Sequence, residues 1–282
     1  NSRLEVRYST KVFTFPGQDR DAVYPDLPVT TTAADYFARH DPVLAAVLAW
    51  QPQPPSEGAI GGVVVGGLAV VNAASFRPGL LVAPGTLVSA FGTFPGVTAA
   101  DASAVPWPRQ LGGVEVRVNA APAPLLAVRA AQINFQIPAD APLGVASVEV
   151  VSSGERIAGG TILVVPSSPG LFTLDPQSLS RPGAILNQDH AVNGRTRRAR
   201  RGEVLQIFGT GVGTATAPPR VYLGAEPAEV LFSGVSRVST QFPGLWQINA
   251  VVPNQAALVG EVPVFVTLNG VASNGVTVWI AE

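Results

Sequence analysis

Apolar residues in this chain fall in short runs divided by glycine, proline and asparagine, and the first run is already diagnostic. Leu4, Val6 and Tyr8 alternate with Arg3, Glu5, Arg7 and Ser9. A period of two puts successive side chains on opposite faces, so this stretch reads as a strand with one buried face. Val12, Phe13 and Phe15 extend it to the turn at Pro16-Gly17, giving a strand segment over 3–15. A polar loop with Asp19, Asp21 and Asp26 follows. Thr31 or Thr32 then caps Ala33, Ala34, Tyr36 and Phe37. Asp41 before Pro42, with proline at a first helical position, predicts a short helix over about 41–50. Gln51-Pro52-Gln53-Pro54-Pro55 ends it and makes a stiff spacer over 51–56.

Beyond residue 62 the pattern is that of strands alone. They are predicted near Val63–Val71, Thr86–Phe91, Val114–Val118, Leu125–Val128, Ile133–Ile137, Ala146–Val151 and Thr161–Val165. A second series follows near Val204–Phe208, Val221–Leu223, Glu229–Phe232, Trp246–Val251, Val262–Leu268 and Val276–Ile280. Asn269-Gly270 between two apolar stretches is a tight hairpin signal.

The two series are one text written twice. Ala83-Pro84-Gly85 through Phe91-Gly92-Thr93 is answered by Arg201-Gly202 through Phe208-Gly209-Thr210. Asn119-Ala120-Ala121-Pro122-Ala123 is answered by Gly224-Ala225-Glu226-Pro227-Ala228, and Gln132-Ile133-Asn134 by Gln247-Ile248-Asn249. Matches in the same order about 115 residues apart mean two copies of a whole domain rather than a solenoid repeat. The expected fold class is all-β: an N-terminal extension (1–62) with a strand and a short helix, then tandem immunoglobulin-like sandwiches over 63–166 and 167–282. Pro166-Ser167-Ser168-Pro169-Gly170 links them.

Composition narrows the function classes. Hydrophobic residues make up 47% and charged residues 13%, about half the usual charged share, and the net charge is −1. No global field favours nucleic acid or an acidic membrane. The absence of cysteine excludes disulfides, thiolate metal sites and cysteine nucleophiles. No apolar run approaches the ~20 residues that span a bilayer. A start at Asn1 leads us to expect removal of a signal peptide and an extracellular or cell-surface location.

Val70-Val71-Asn72-Ala73-Ala74-Ser75-Phe76, Ala83-Pro84-Gly85, Phe91-Gly92-Thr93 and Gln132 through Pro138 together resemble a Solibacter-type C-terminal domain family of acidobacterial secreted proteins. That family is related in style to the IPT/TIG sandwiches. The second copy keeps the resemblance at Gly183 through Asp189, Phe208-Gly209-Thr210-Gly211 and Trp246 through Asn249, so it covers residues 70–280. It implies a β-sandwich protein outside the cell, and no catalytic residues.

The residues themselves point the same way. His40 and His190 are the two histidines, and neither sits in a metal or nucleophile spacing. No metal site and no cofactor are expected, and no enzymatic activity. Gly209-Thr210-Gly211-Val212-Gly213 superficially resembles a phosphate loop, but Pro218-Pro219 bars the helix whose N-terminus would hold the phosphate, so a strand-exit turn is expected. Arg195, Arg197, Arg198, Arg200 and Arg201 form the one charge cluster. It reads as a solvated loop or a docking patch for an acidic loop, such as Asp19, Asp21 and Asp26 of another copy, or for anionic polysaccharide. Nucleic acid is not the expected partner, since no aromatics interleave. Trp107, Trp246 and Trp279 are the candidates for an exposed aromatic platform, but Trp246 and Trp279 fall in strands and are expected in the core, which leaves Trp107. Lys11 is the one lysine; an isopeptide bond from it to an Asn or Asp side chain would need a buried acid beside the pair.

A lone strand is unstable, so the 3–15 segment must join a sheet, in its own chain or in a neighbour. The reading favoured by the sequence is a head-to-tail homopolymer in which Leu4, Val6, Tyr8, Val12, Phe13 and Phe15 fill the next subunit. The alternative is a secreted carbohydrate- or surface-binding adhesion module.

Overall fold

The computed structural model describes residues 67–77, 81–175, 178, 180–236 and 242–282, which lie in one compact unit. The predicted donor strand, helix and spacer, with Leu4, Val6, Tyr8, Lys11, Val12, Phe13, Phe15 and His40, lie outside the described residues. Within them the chain is all-β, with no helix.

The first sandwich contains β1 (Ala69–Asn72), β2 (Leu81–Val82), β3 (Leu87–Phe91), β4 (Ala100–Asp101), β5 (Val114–Val118), β6 (Ala121–Pro122), β7 (Leu125–Val128), β8 (Gln132–Gln136), β9 (Gly144–Ser152) and β10 (Glu155–Val164). One sheet runs β1-β3-β8-β7-β4 and the other β2-β10-β9-β5-β6. The second contains β11 (Gly170–Leu171), β12 (Ile185–Leu186), β13 (Val204–Thr210), β14 (Arg220–Leu223), β15 (Glu226–Ala228), β16 (Val230–Val235), β17 (Trp246–Val251), β18 (Gly260–Leu268), β19 (Val271–Ala272) and β20 (Val276–Ile280). Here β11-β13-β17-β16 form one sheet, with β12 also on β13; β15-β14-β18 form the other, and β18 carries β19 and β20. Both copies have the two-sheet strand order of an immunoglobulin-like sandwich.

Alternation builds each core. Val114, Val116 and Val118 of β5 are buried against Ile133 and Phe135 of β8 and Val148 and Val150 of β9. Leu205, Ile207, Trp246, Ile248, Val264 and Val278 do the same in the second sandwich. The repeated Gln-x-Asn word now has a physical meaning. Its middle residue points into the core, while its outer two share the opposite face. Gln132 Nε2 donates to Asn134 Oδ1 at 2.8 Å, and Gln247 Nε2 donates to Asn249 Oδ1 at 2.9 Å. Asn269 and Gly270, both with positive φ, form the two-residue turn between Leu268 and Val271.

The structure departs from the predicted strands where the pattern is locally broken. β10 starts at Glu155 rather than near Thr161. A bulge at Arg156/Ala158 shifts the register there, and Gly159-Gly160 carries no side chain to show a period. Strands of two or three residues, such as β4 and β15, are too short to have a period at all.

One difference between the copies matters below. Residues 92–113 connect β3 to β5 in the first sandwich and contribute β4, which pairs with β7. In the second, the connection from β13 to β14 is only 211–219, and no strand pairs the outer side of β16 among the described residues.

Candidate functional site

The two sandwiches are joined by a polar seam, so the link is a docked segment. Asn72 Nδ2 donates to Ser168 O at 2.9 Å, while Asn72 Oδ1 accepts from the N–H groups of Ala74 and Ser75. Ser168 N–H donates to Gly211 O at 2.8 Å, and Thr214 N–H to Pro166 O at 2.9 Å. Thr210, fully buried, accepts the Leu87 N–H at 3.0 Å and donates to Gly244 O at 3.0 Å. Arg77 reaches Ser273 O at 2.9 Å. The glycine-rich stretch after β13 is a strand-exit turn, as its sequence suggests, and it lets the linker approach. A Cβ on Gly211, at φ +90°, would sit 1.9 Å from Ser168 O. Between the facing sheets lies an apolar cleft of about 460 Å³, lined by Phe76, Leu126, Phe172, Phe208, Phe242 and Leu245.

Sheet edges are where a β protein meets other chains, and most edges here are closed. β20 is covered along its outer side: Thr277 N–H donates to Arg181 O, Gly183 N–H to Thr277 O, and Ala199 N–H to Trp279 O. Asn193 completes it by accepting the Trp279 N–H at 2.7 Å and donating to Trp279 O at 2.9 Å. β6 and β15 carry Pro122 and Pro227. β4 is two residues long and ends in Asp101, which takes a two-pronged contact from Arg129 at 2.7 and 2.9 Å. β16, Val-Leu-Phe-Ser-Gly-Val, is six residues with no charge. Its Leu231 and Val235 are 56% and 74% exposed.

The arginine cluster is largely exposed and makes a few specific contacts. The Arg195 and Arg198 guanidinium carbons lie 5.9 and 5.5 Å from the centroid of the Trp279 ring. Arg198 Nε donates to Arg195 O at 3.0 Å. Arg197 lies 3.8 Å from Asp189, Arg200 N–H donates to Glu203 Oε2 at 2.8 Å, and Arg201 reaches Leu258 O at 3.4 Å. A polar recess of about 500 Å³ adjoins them, lined by Asn187, Gln188, Thr196 and Arg200 among others. Two of the five arginines, Arg195 and Arg198, are thus brought over Trp279, and the other three make their contacts elsewhere. Trp279 is half-buried rather than a core residue. The expectation for Trp107 is overturned: it is 6% exposed, packed edge-on against Phe242 at 6.2 Å, because the long 92–113 connection folds back over the seam. Trp246 is in the core, its Nε1 donating to Ser233 Oγ at 2.9 Å.

His190 sits in a left-handed turn, with Nδ1 2.9 Å from Gln206 Nε2. Gln206 Oε1 is buried without a partner. The Arg117 guanidinium is held above its ordinary value by its hydrogen bond to Glu115 first and the charge of Glu115 second. Among the described residues no group of three or more acidic or histidine side chains is placed to hold a metal, and no helix is long and apolar enough to cross a membrane.

No family model and no curated protein matches the chain. Among solved structures it is similar to the FdeC adhesin of Escherichia coli, with 11% identity over 76% of this chain and a TM-score of 0.23. The chain spans 64% of that structure's length. It is also similar to domains 5–6 of the S-layer protein SbsC, with 11% identity over 79% of this chain and 98% of that one, at a TM-score of 0.26. A tandem pair of titin immunoglobulin domains shares 5% identity over 77% of this chain and 96% of that one, at a TM-score of 0.22. The immunoglobulin-like architecture stands on the strand order itself.

The unpaired outer side of β16 is a feature that periodicity misses. Its signal is the spacing of the repeated words. Gly92 to Gly209 is 117 residues, Pro122 to Pro227 is 105, and Gln132 to Gln247 is 115. The drop marks the connection that is shorter in the second copy.

Proposed function

We propose that this chain is a structural subunit of an extracellular filament or surface assembly, joined to its neighbours when the N-terminal strand of one copy adds to a sheet of the next. The observation that carries the reading is an exposed apolar row on the first sandwich. Leu81 pairs with Leu163, and Leu163 with Val145, across β2, β10 and β9. All three are exposed, Val145 by 75%, and Leu143 adjoins them in sequence. Contiguous apolar surface on a chain with few charges belongs against another surface. The docked linker supports the same reading, because it makes the two sandwiches one stiff piece. The resemblance to acidobacterial secreted domains supports a place outside the cell.

The test is deletion of residues 1–15. The intact chain sediments as polymer and the truncated chain as folded monomer; equal polymerisation of both overturns strand addition.

A second reading, a surface-binding adhesion module for anionic polysaccharide, is favoured by the pairing of Arg195 and Arg198 over Trp279. Retention of polysaccharide by the intact chain, and its loss in an Arg195→Ala/Arg198→Ala variant, would select this reading.

A further inference from the structure

We infer that the acceptor for the incoming strand is the outer edge of β16 in the second sandwich, and that its occupant is the 3–8 segment of a second copy. The inference rests on the strand-addition reading above and adds to it the place where the strand lands.

The two copies serve as controls for each other. In the first, the 92–113 connection supplies β4, which closes the edge of β7 and crowns it with the Asp101–Arg129 pair. In the second, the connection is cut to 211–219, and the Pro218-Pro219 pair keeps it from acting as a strand. What β4 does for one sheet, nothing among the described residues does for the other. Natural edges are kept short, charged, proline-bearing or covered, because an open one recruits strands. β16 carries one guard, the bulge at Leu231 between Val230 and Phe232, and beyond it Ser233, Gly234 and Val235 run on with no charge and no proline. β20, one residue shorter, is covered by the 181–183 and 193–199 segments.

The space beside β16 matches the proposed occupant. A groove of about 710 Å³ runs between β16 and the 211–219 connection and reaches Pro84 and Gly85 of the first sandwich. Val212, Ala215 and Val230 pack on the core there but stay only partly buried. Leu4, Val6 and Tyr8 share one face of an extended segment, and laid along β16 they continue that inner side. Arg3, Glu5 and Arg7 then fall on the solvent face. The apolar cleft between the sandwiches is a poorer acceptor. It offers side chains from facing sheets and no strand edge. Sixty-six residues precede Gly67, and those over 51–56 include Pro52, Pro54 and Pro55, the composition of a semi-rigid linker.

Two arms test this in the full-length chain. In the first, Leu231→Lys/Val235→Lys places charge on an edge where both side chains are already solvent-exposed. The variant keeps the unfolding midpoint of the parent and sediments as monomer. If it still polymerises while the chain lacking residues 1–15 does not, strand addition survives and the β16 assignment is wrong. If the truncated chain polymerises as well, strand addition itself fails. The second arm uses the absence of cysteine, which gives no background. Single variants with Arg3→Cys, Glu5→Cys or Arg7→Cys, of different tag length, are mixed with Leu231→Cys or Phe232→Cys and oxidised. The expected product is a covalent dimer of the two different chains from at least one pairing. Absence of that dimer from every pairing, with a separately made double variant such as Glu5→Cys/Leu231→Cys closing only within its own chain, overturns the proposal.

Discussion

Thr210→Val is the sharpest probe of how the two sandwiches hold together. The substitution keeps the shape of a fully buried side chain and deletes one hydroxyl. That hydroxyl accepts the Leu87 N–H of the first sandwich at 3.0 Å and donates to Gly244 O of the second at 3.0 Å. Leaving a buried donor unpaired costs about 1–3 kcal/mol. Gly244 is only half-buried, so water can serve its carbonyl and this side adds little. The expected loss is about 2 kcal/mol, read as a lower urea midpoint with an unchanged slope. Amide hydrogen exchange localises it: Leu87 N–H loses protection, while Ile133 and Ile248 in the two cores keep theirs. Thr214→Val is the control, because its exposed hydroxyl lies 3.5 Å from Pro166 O; it changes stability by less than about 0.5 kcal/mol. A loss below about 0.5 kcal/mol in Thr210→Val, with Leu87 still protected, would refute the claim that this seam is held by polar contacts.

Gly211→Ala forces a Cβ to within 1.9 Å of Ser168 O at a φ of +90°, and should cost about 3 kcal/mol or lose the fold, as thermal unfolding would report. Asn193→Ala removes the side chain that closes the β20 edge and pairs with Asn187; about 2–4 kcal/mol is expected, with faster exchange of the Trp279 amide. Asp101→Asn breaks an exposed ion pair and should cost no more than about 0.5 kcal/mol, with even that difference gone in high salt. Trp246→Phe strands nothing but Ser233 Oγ, which is exposed, so a loss of about 1–2 kcal/mol by denaturation is expected, mostly from lost contact in the core.

Much of the fold can be read from the repeated words, because each combines a core residue with a turn or a clip. Ile133 between Gln132 and Asn134 fixes which face is inside, and Asn269-Gly270 fixes the register of its hairpin. What periodicity misses is of two kinds. Bulged or glycine-bearing strands such as β10 lose their rhythm without losing their hydrogen bonds. Contacts between distant segments leave no local trace: nothing near Trp107 announces Phe242, and nothing near Trp279 announces that Arg195 and Arg198 lie over it. The arginine cluster is visible as charge, whereas the ring that two of its members lie over is more than eighty residues away in sequence.

Phe91-Gly92-Thr93 and Phe208-Gly209-Thr210 are the same three letters, yet Thr93 stands in solvent and Thr210 is sealed at the junction. The twin modules have therefore ceased to be interchangeable. The tandem has a polarity, with one module shaped to go first and the other to follow. A gene in which the two were transposed would encode the same cores and lack a matched junction, so lengthening this protein by simple duplication would require a new junction to be matched each time.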